Sequence, residues 1–287
     1  MRKQKLLVRM KYGAHIFLWI ERWDNSQLGL FERAKKLGLD VLEIAVGDDV
    51  EFDSEKIKAA ASDSQIELLI SPGGVWPMAA DLSQPDKYAL EWHKHWIDQG
   101  ALAGATAYTG ALYGHPGRVE KIAPSNSEFK IVCENLKELS TYAENKGVKI
   151  VLEPMSHFRT HLINTPQQAL QLLEAINHSN LSVLVDTYHV STEIRDFYNG
   201  IKILDGKLWG LHACENDRGC PGGGIIPWNE VFRGLKEMNF DGYMVLESYN
   251  SGLRNGDFAY SRGMFHHVCE DGDEYVKRGL EFLKSMV

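Results

Sequence analysis

Cysteine is scarce in this sequence: Cys133, Cys214, Cys220 and Cys269 are scattered, with no CxxC pair. In a chain this long that argues against a disulfide framework and for reduced thiols. Cys214 and Cys220 are the one close pair, and no second pair completes a zinc site with them. Long apolar runs are missing too. No stretch approaches the roughly 18 residues that would span a membrane. The N-terminal MRKQKLLVRM has only three apolar residues in a row, too few for a secretory signal, so the expected location is the cytoplasm. Positive charge is in deficit, 31 Lys and Arg against 39 Asp and Glu, for a net charge of −8. That balance argues against nucleic acid or an anionic membrane surface as a partner. No Pro/Ser-rich linker, short repeat or low-complexity segment interrupts the chain, so residues 1–287 are expected to form one domain.

What is present is a regular alternation. Short runs rich in apolar and β-branched residues, bounded by Gly, Pro, Asp or Ser, predict strands at 12–17, 40–45, 66–71, 105–110, 147–153, 181–186, 208–213 and 242–247. Between them, apolar residues at three- and four-residue spacing predict helices at 26–37, 54–63, 86–103, 127–146, 165–176, 190–204, 229–238 and 272–285. Ser26, Ser54, Asp86, Ser127 and Thr165 stand where N-caps belong, and Pro166 follows the last of them. Eight strands alternating with eight helices predict a (β/α)8 TIM barrel. The main alternative, a doubly wound open sheet, would carry a Gly-rich phosphate turn after its first strand, and the segment LWIERWDNS has none.

In such barrels the chemistry sits at the C-terminal strand ends. Strand five ends KIVLE at Glu153, strand six SVLVD at Asp186, and strand eight YMVLE at Glu247; strand seven, LWGLHA, has His212 near its end. A lone carboxylate at a strand end is usually a loop residue or a helix cap, and Asp186 could be one. Four consecutive strands each delivering a metal-capable side chain at one level are hard to explain as caps. Three carboxylates and one imidazole suit one Mn²⁺ per chain, or Mg²⁺ or Co²⁺, better than structural zinc.

These residues also carry a resemblance. VLEP at 151–154, VDTYH at 185–189, LHACENDRGCPG at 211–222, IIPW at 225–228 and GYMVLESY at 242–249 together resemble the ketose 3-epimerases of the xylose-isomerase-like barrel superfamily. The resemblance covers nearly the whole chain. It implies that Glu153 and Glu247 act as the acid/base pair as well as metal ligands, with Asp186 and His212 completing the site. It implies substrate contacts from His189, three residues after the metal Asp, and from Arg218, six after the metal His. A small-molecule sugar would be the partner, with a homodimer or homotetramer as the assembly. The implied reaction inverts C3 through an enediolate, which a metal acting as Lewis acid stabilises while two carboxylates work on opposite faces.

Two positions depart from the resembled pattern. Arg159 stands where the family typically carries a substrate-contacting Glu, reversing charge and removing an acceptor, and Ile225 stands where His is common. Arg159 therefore predicts a substrate that differs from a plain ketohexose around C1, such as one with a carboxylate or a larger oxidised sugar. Aromatic residues after other strands, Trp19, Trp76 and Tyr113, are either sugar-stacking faces or ordinary loop packing, and His15 either faces the barrel mouth or sits satisfied in the core.

Three competing readings remain at this level. A metal-dependent lyase or dehydratase of keto-sugars or inososes would share the enediolate chemistry. An endonuclease of the same superfamily would need a larger His-rich metal cluster and a basic face. A non-enzymatic sugar-binding barrel would have no use for a base on each side of one carbon.

Overall fold

A computed structural model describes residues 10–287; apart from Met10, the N-terminal segment read above for a signal lies outside them. The strands are β1 Lys11–His15, β2 Val41–Val46, β3 Glu67–Pro72, β4 Ala105–Gly110, β5 Lys149–Leu152, β6 Leu181–Asp186, β7 Leu208–Ala213 and β8 Tyr243–Leu246. Each pairs in parallel with the next, and β8 pairs with β1, so the sheet closes into a barrel. Helices α1 Gly29–Lys36, α2 Ser54–Ser64, α3 Lys87–Ala103, α4 Asn126–Asn145, α5 Pro166–Ile176, α6 Thr187–Val190, α7 Phe197–Lys202, α8 Trp228–Glu237, α9 Asp257–Ser261 and α10 Gly272–Ser285 fill the connections. The expected (β/α)8 barrel is the observed one. No helix among the described residues is long and apolar enough to cross a membrane.

The strand runs are apolar on both faces because helices cover the outside and side chains fill the inside. Val41, Leu69, Ala107, Val151, Leu184 and Val245 form one buried layer, separate from the core that the helices cover. There is no spare room in the sheet at Gly13: a Cβ there would stand 3.0 Å from Val41 Cβ and 3.3 Å from Val245 Cγ2. At the N-terminal strand ends Glu67 accepts from Lys11, from Tyr243 OH at 2.7 Å and from Thr106, which makes a polar plug.

Several element boundaries differ from the sequence expectation, each for a local reason. β1 stops at His15 because His15 Nδ1 accepts from Phe17 N and opens a 3-10 turn at Ile16–Leu18. Asp24, not Ser26, caps the turn that precedes α1, and Asp53, not Ser54, caps α2. Ser125, not Ser127, caps α4 and forms a capping box with Glu128, while Asp86 and Thr165 cap as expected. The helix expected at 190–204 is two short pieces. Asp186 caps α6 directly off the strand, and Asp196 starts α7 by accepting from Asn199 N. The long segment between β8 and α10 adds a 3-10 turn at Leu253–Gly256 and α9, which the sequence pattern did not predict.

Candidate metal centre and cavity

β5 to β8 end together, and their last residues converge. Asp186 and His212 are directly paired in the β6–β7 register, and Glu153 and Glu247 follow β5 and β8. All four side chains are buried, and one ligand atom from each lies within 4.8 Å of the others. Three carboxylates forced together in a water-poor site repel one another. Burial pushes Glu153 up to about 7 against the pull of His212, and the charges of Asp186 and Glu247 add to the rise. At Glu247 burial is outweighed by Arg218 and His212, so its carboxyl is held well below the usual range. Burial at His212 is likewise outweighed, by Glu43, Glu247 and Glu153, and the imidazole is raised well above its ordinary value.

The donor set fits a divalent cation. Asp186 Oδ1 is occupied by Tyr188 N at 2.8 Å, whereas the buried Oδ2 has no hydrogen-bond partner; Arg218 Nη1 is at ion-pair distance, 2.7 Å. His212 turns Nδ1 toward Glu153 and Glu247, at 3.4 and 3.3 Å, leaving that nitrogen in the centre of the group. Its other nitrogen, Nε2, lies 2.9 Å from Glu43 Oε2. Glu43 is fully buried in β2, and its other oxygen accepts from Thr109 Oγ1. A carboxylate behind the free nitrogen of a ligating imidazole fixes the ring and its tautomer. The sequence reading missed Glu43. A charged residue in the middle of the apolar run VLEIAV was the available signal.

Arg218 reaches the same site from the loop after β7, held in a left-handed backbone conformation with φ of 68°. Its Nη1 lies 2.7 Å from Glu247 Oε2, and its guanidinium stacks 4.3 Å from the centre of the Tyr188 ring. Arg218 Nη2 lies 3.3 Å from His189 Nε2, and His189 Nδ1 accepts from Ser156 N at 3.3 Å with Ser156 Oγ at the same distance. Burial pushes His189 down to about 4, so the ring is neutral near pH 7.

A cavity of about 180 Å³ opens above these groups, with Glu153, His212 and Glu247 in its lining and His15, Trp76 and Arg159 among its walls. A smaller space of about 70 Å³ adjoins it, bringing in His189 and Arg218 and sharing Tyr249, Arg159 and Arg262. Tyr249 and Arg262 were not singled out from the sequence. Arg262 belongs to the irregular segment after β8, where no periodic signal points to the barrel mouth.

Two expected sugar contacts are placed elsewhere. Trp19 is buried against α10, and its indole donates to Asp273 Oδ1 at 2.8 Å instead of facing the cavity. Tyr113 is wholly buried under the loop after β5; its hydroxyl lies 3.0 Å from Glu153 O and 2.9 Å from Ile163 O and accepts from Met155 N. It fixes the backbone that carries Glu153 and presents no face to a ligand. Ile225 is exposed and lines neither space, and the four cysteines are free thiols.

Residues 31–286 match the sequence profile of the xylose isomerase-like TIM barrel family. The chain belongs to that family. Within it, this xylose isomerase-like barrel is 29% identical over 251 residues to D-psicose 3-epimerase of Ruminiclostridium cellulolyticum, covering 84% of each chain. It is 26% identical to ketose 3-epimerase of Arthrobacter globiformis, over 96% of both. A solved structure of D-psicose 3-epimerase from Clostridium cellulolyticum H10 with D-tagatose superposes with a TM-score of 0.86 at 26% identity, covering 96% of this chain and 99% of that one. The resemblance to ketose 3-epimerases read from the motifs is thus met by the relatives themselves.

Proposed function

We propose that the protein is a metal-dependent epimerase that inverts C3 of a ketose or related keto-sugar. The observation that carries this reading is a pair of buried carboxylates, Glu153 and Glu247, lining one cavity from strands separated by β6 and β7. Glu153, Asp186, His212 and Glu247 would hold one divalent cation, with Mn²⁺ the first choice and Mg²⁺ or Co²⁺ the alternatives. When bound, the cation supplies Lewis acidity beside the sugar carbonyl and makes the adjacent C–H more acidic.

The chain supplies the rest. One carboxylate of the pair takes the C3 proton, and the other hands a proton to the opposite face, the two exchanging roles in the reverse direction. Approach from two non-adjacent strands puts one carboxylate on each side of the carbon, so inversion needs no turning of the planar intermediate. Arg218 and the neutral His189, already bonded to each other, offer their polar atoms to the sugar oxygens and hold the reacting carbon between the carboxylates. Tyr113 and the Gly110 carbonyl, which accepts from Glu153 N at 2.9 Å, keep the base at a fixed height.

The test is deuterium incorporation. The Mn²⁺-loaded protein is incubated in D2O with ketohexoses, ketopentoses and keto-sugar acids, and deuterium at C3 is read by NMR. Label appearing at C3, and absent in Glu153→Gln and Glu247→Gln, supports the reading. Product of reduced mass would instead identify a dehydratase. No exchange from any sugar by the metal-loaded protein would overturn the C3 assignment.

A further inference from the structure

With a divalent cation held by the cluster, the charges around the cavity would not balance. The cation together with Arg218, which lies against Asp186 and Glu247, would match the three carboxylates. Glu43 stands behind His212 and lines neither space. That leaves Arg159 and Arg262, both of which line both spaces. No carboxylate pairs with either among the described residues. Arg262 is preorganised: its Nη2 donates to Gly73 O at 2.8 Å, and its guanidinium lies 4.7 Å from the Phe17 ring centre and 5.7 Å from that of Phe258. Arg159 has an exposed side chain on the loop after β5, six residues beyond Glu153. Tyr249 is common to the walls of both spaces, and the Arg262 guanidinium lies 5.8 Å from its ring centre.

A neutral sugar seated here would leave two guanidinium groups facing it without a counter-charge in a partly closed cavity. Guanidinium forks match planar carboxylate and phosphate oxygens, and charge-assisted bonds of this kind are the strong ones. We propose that the substrate is an anionic keto-sugar, whose carboxylate or phosphate is taken by Arg159 and Arg262 while the sugar carbon skeleton meets the metal cluster. The inference rests on the proposed function for the cation in the charge count and for the seat of the reacting carbon; binding of the anion by the two arginines does not depend on the reaction that follows.

The experiment measures affinity and chemistry separately on the Mn²⁺-loaded protein. Calorimetric titration compares D-fructose with D-fructuronate, 2-keto-D-gluconate and D-fructose 6-phosphate, which add one anion at either end of the same skeleton; the arms also separate carboxylate from phosphate. At least one anionic form is expected to bind tenfold or more tighter than D-fructose, the scale of one or more charge-assisted bonds. That advantage should shrink with added salt and collapse in Arg159→Gln and Arg262→Gln. Arg262→Lys, which keeps the charge but not the fork, should retain part of it, so loss of packing on Phe17 is told apart from loss of charge. If D-fructose binds as tightly as every anionic form, or the advantage survives in the double Gln variant, the proposal is overturned. Anion-selective binding without C3 exchange would leave it standing and remove the epimerase reading. C3 exchange of D-fructose with no anion preference would do the reverse.

Discussion

Replacing Glu43 by Gln keeps the shape of a buried side chain and removes only its charge, which isolates the effect of the carboxylate behind His212. In the native site Glu43 Oε2 lies 2.9 Å from His212 Nε2 while the other oxygen accepts from Thr109 Oγ1. The Gln oxygen can still accept from His212. Its amide then faces Thr109, whose hydroxyl can turn to the Ile70 carbonyl at 3.4 Å. The fold should survive, and what disappears is the negative charge that makes Nδ1 a stronger donor and pins the ring. Losing such a partner weakens metal binding by about 10- to 100-fold, or roughly 1.4–2.7 kcal/mol. Calorimetric titration with Mn²⁺, run beside circular dichroism to confirm folding, measures the change directly. Glu43→Leu, which cannot accept at all, should be weaker still. A folded Glu43→Gln protein that binds Mn²⁺ within threefold of the parent would refute the reasoning.

Other perturbations separate structural from chemical roles. Tyr113→Phe strips the buried hydroxyl that Met155 N donates to, and should cost about 1–3 kcal/mol in urea unfolding; a loss under about 0.5 kcal/mol would contradict the anchoring role. Trp19→Phe removes the bond to Asp273 together with part of the buried ring packing and should cost about 1–3 kcal/mol with sugar KM unchanged, so a KM shift beyond twofold would return Trp19 to the cavity. His93 is fully buried between the Tyr108 hydroxyl at 2.9 Å and Ala80 O at 3.2 Å, and burial pushes it down to about 3. Below pH 6.5 the unfolded chain takes up a proton that the folded one refuses until about pH 3. Stability contributed by this ring is therefore lost as pH falls through that window, by up to roughly 1.4 kcal/mol per unit. The stability gap between the parent and His93→Gln should narrow toward acid, and a gap constant from pH 7 to 4 would rule this out.

The barrel was legible because strands covered on both faces read as continuous apolar runs, and their polar endings stand out. Glu153, Asp186, His212 and Glu247 were visible for that reason, and the structure brings the four together. Glu43 was not, because it interrupts a strand instead of ending one, and its partner lies 169 positions away. Trp19 and Tyr113 show the opposite failure. Position near a strand end is readable, but the direction of a side chain depends on packing: one indole turns to α10 and one phenol under the β5 loop. The break between α6 and α7 was hidden because Asp186 begins its helix directly at the strand end, ahead of the apolar spacing. Arg262 comes from a segment with no period, so only the folded chain puts it beside Arg159.

Among the described residues, the polar plug of Lys11, Glu67, Thr106 and Tyr243, with the packed layer of Val41, Leu69, Ala107, Val151, Leu184 and Val245, closes the far end of the barrel and gives the proposed reaction a single doorway. Nothing can be fed in at one end of the barrel and discharged at the other. Product must back out past the residues that admitted the substrate, and while it lingers it keeps the next molecule waiting. For a reaction whose two sides are of nearly equal energy, such a vestibule imposes no direction: the enzyme relaxes a mixture toward equilibrium, and net flow is decided by whatever removes one sugar outside.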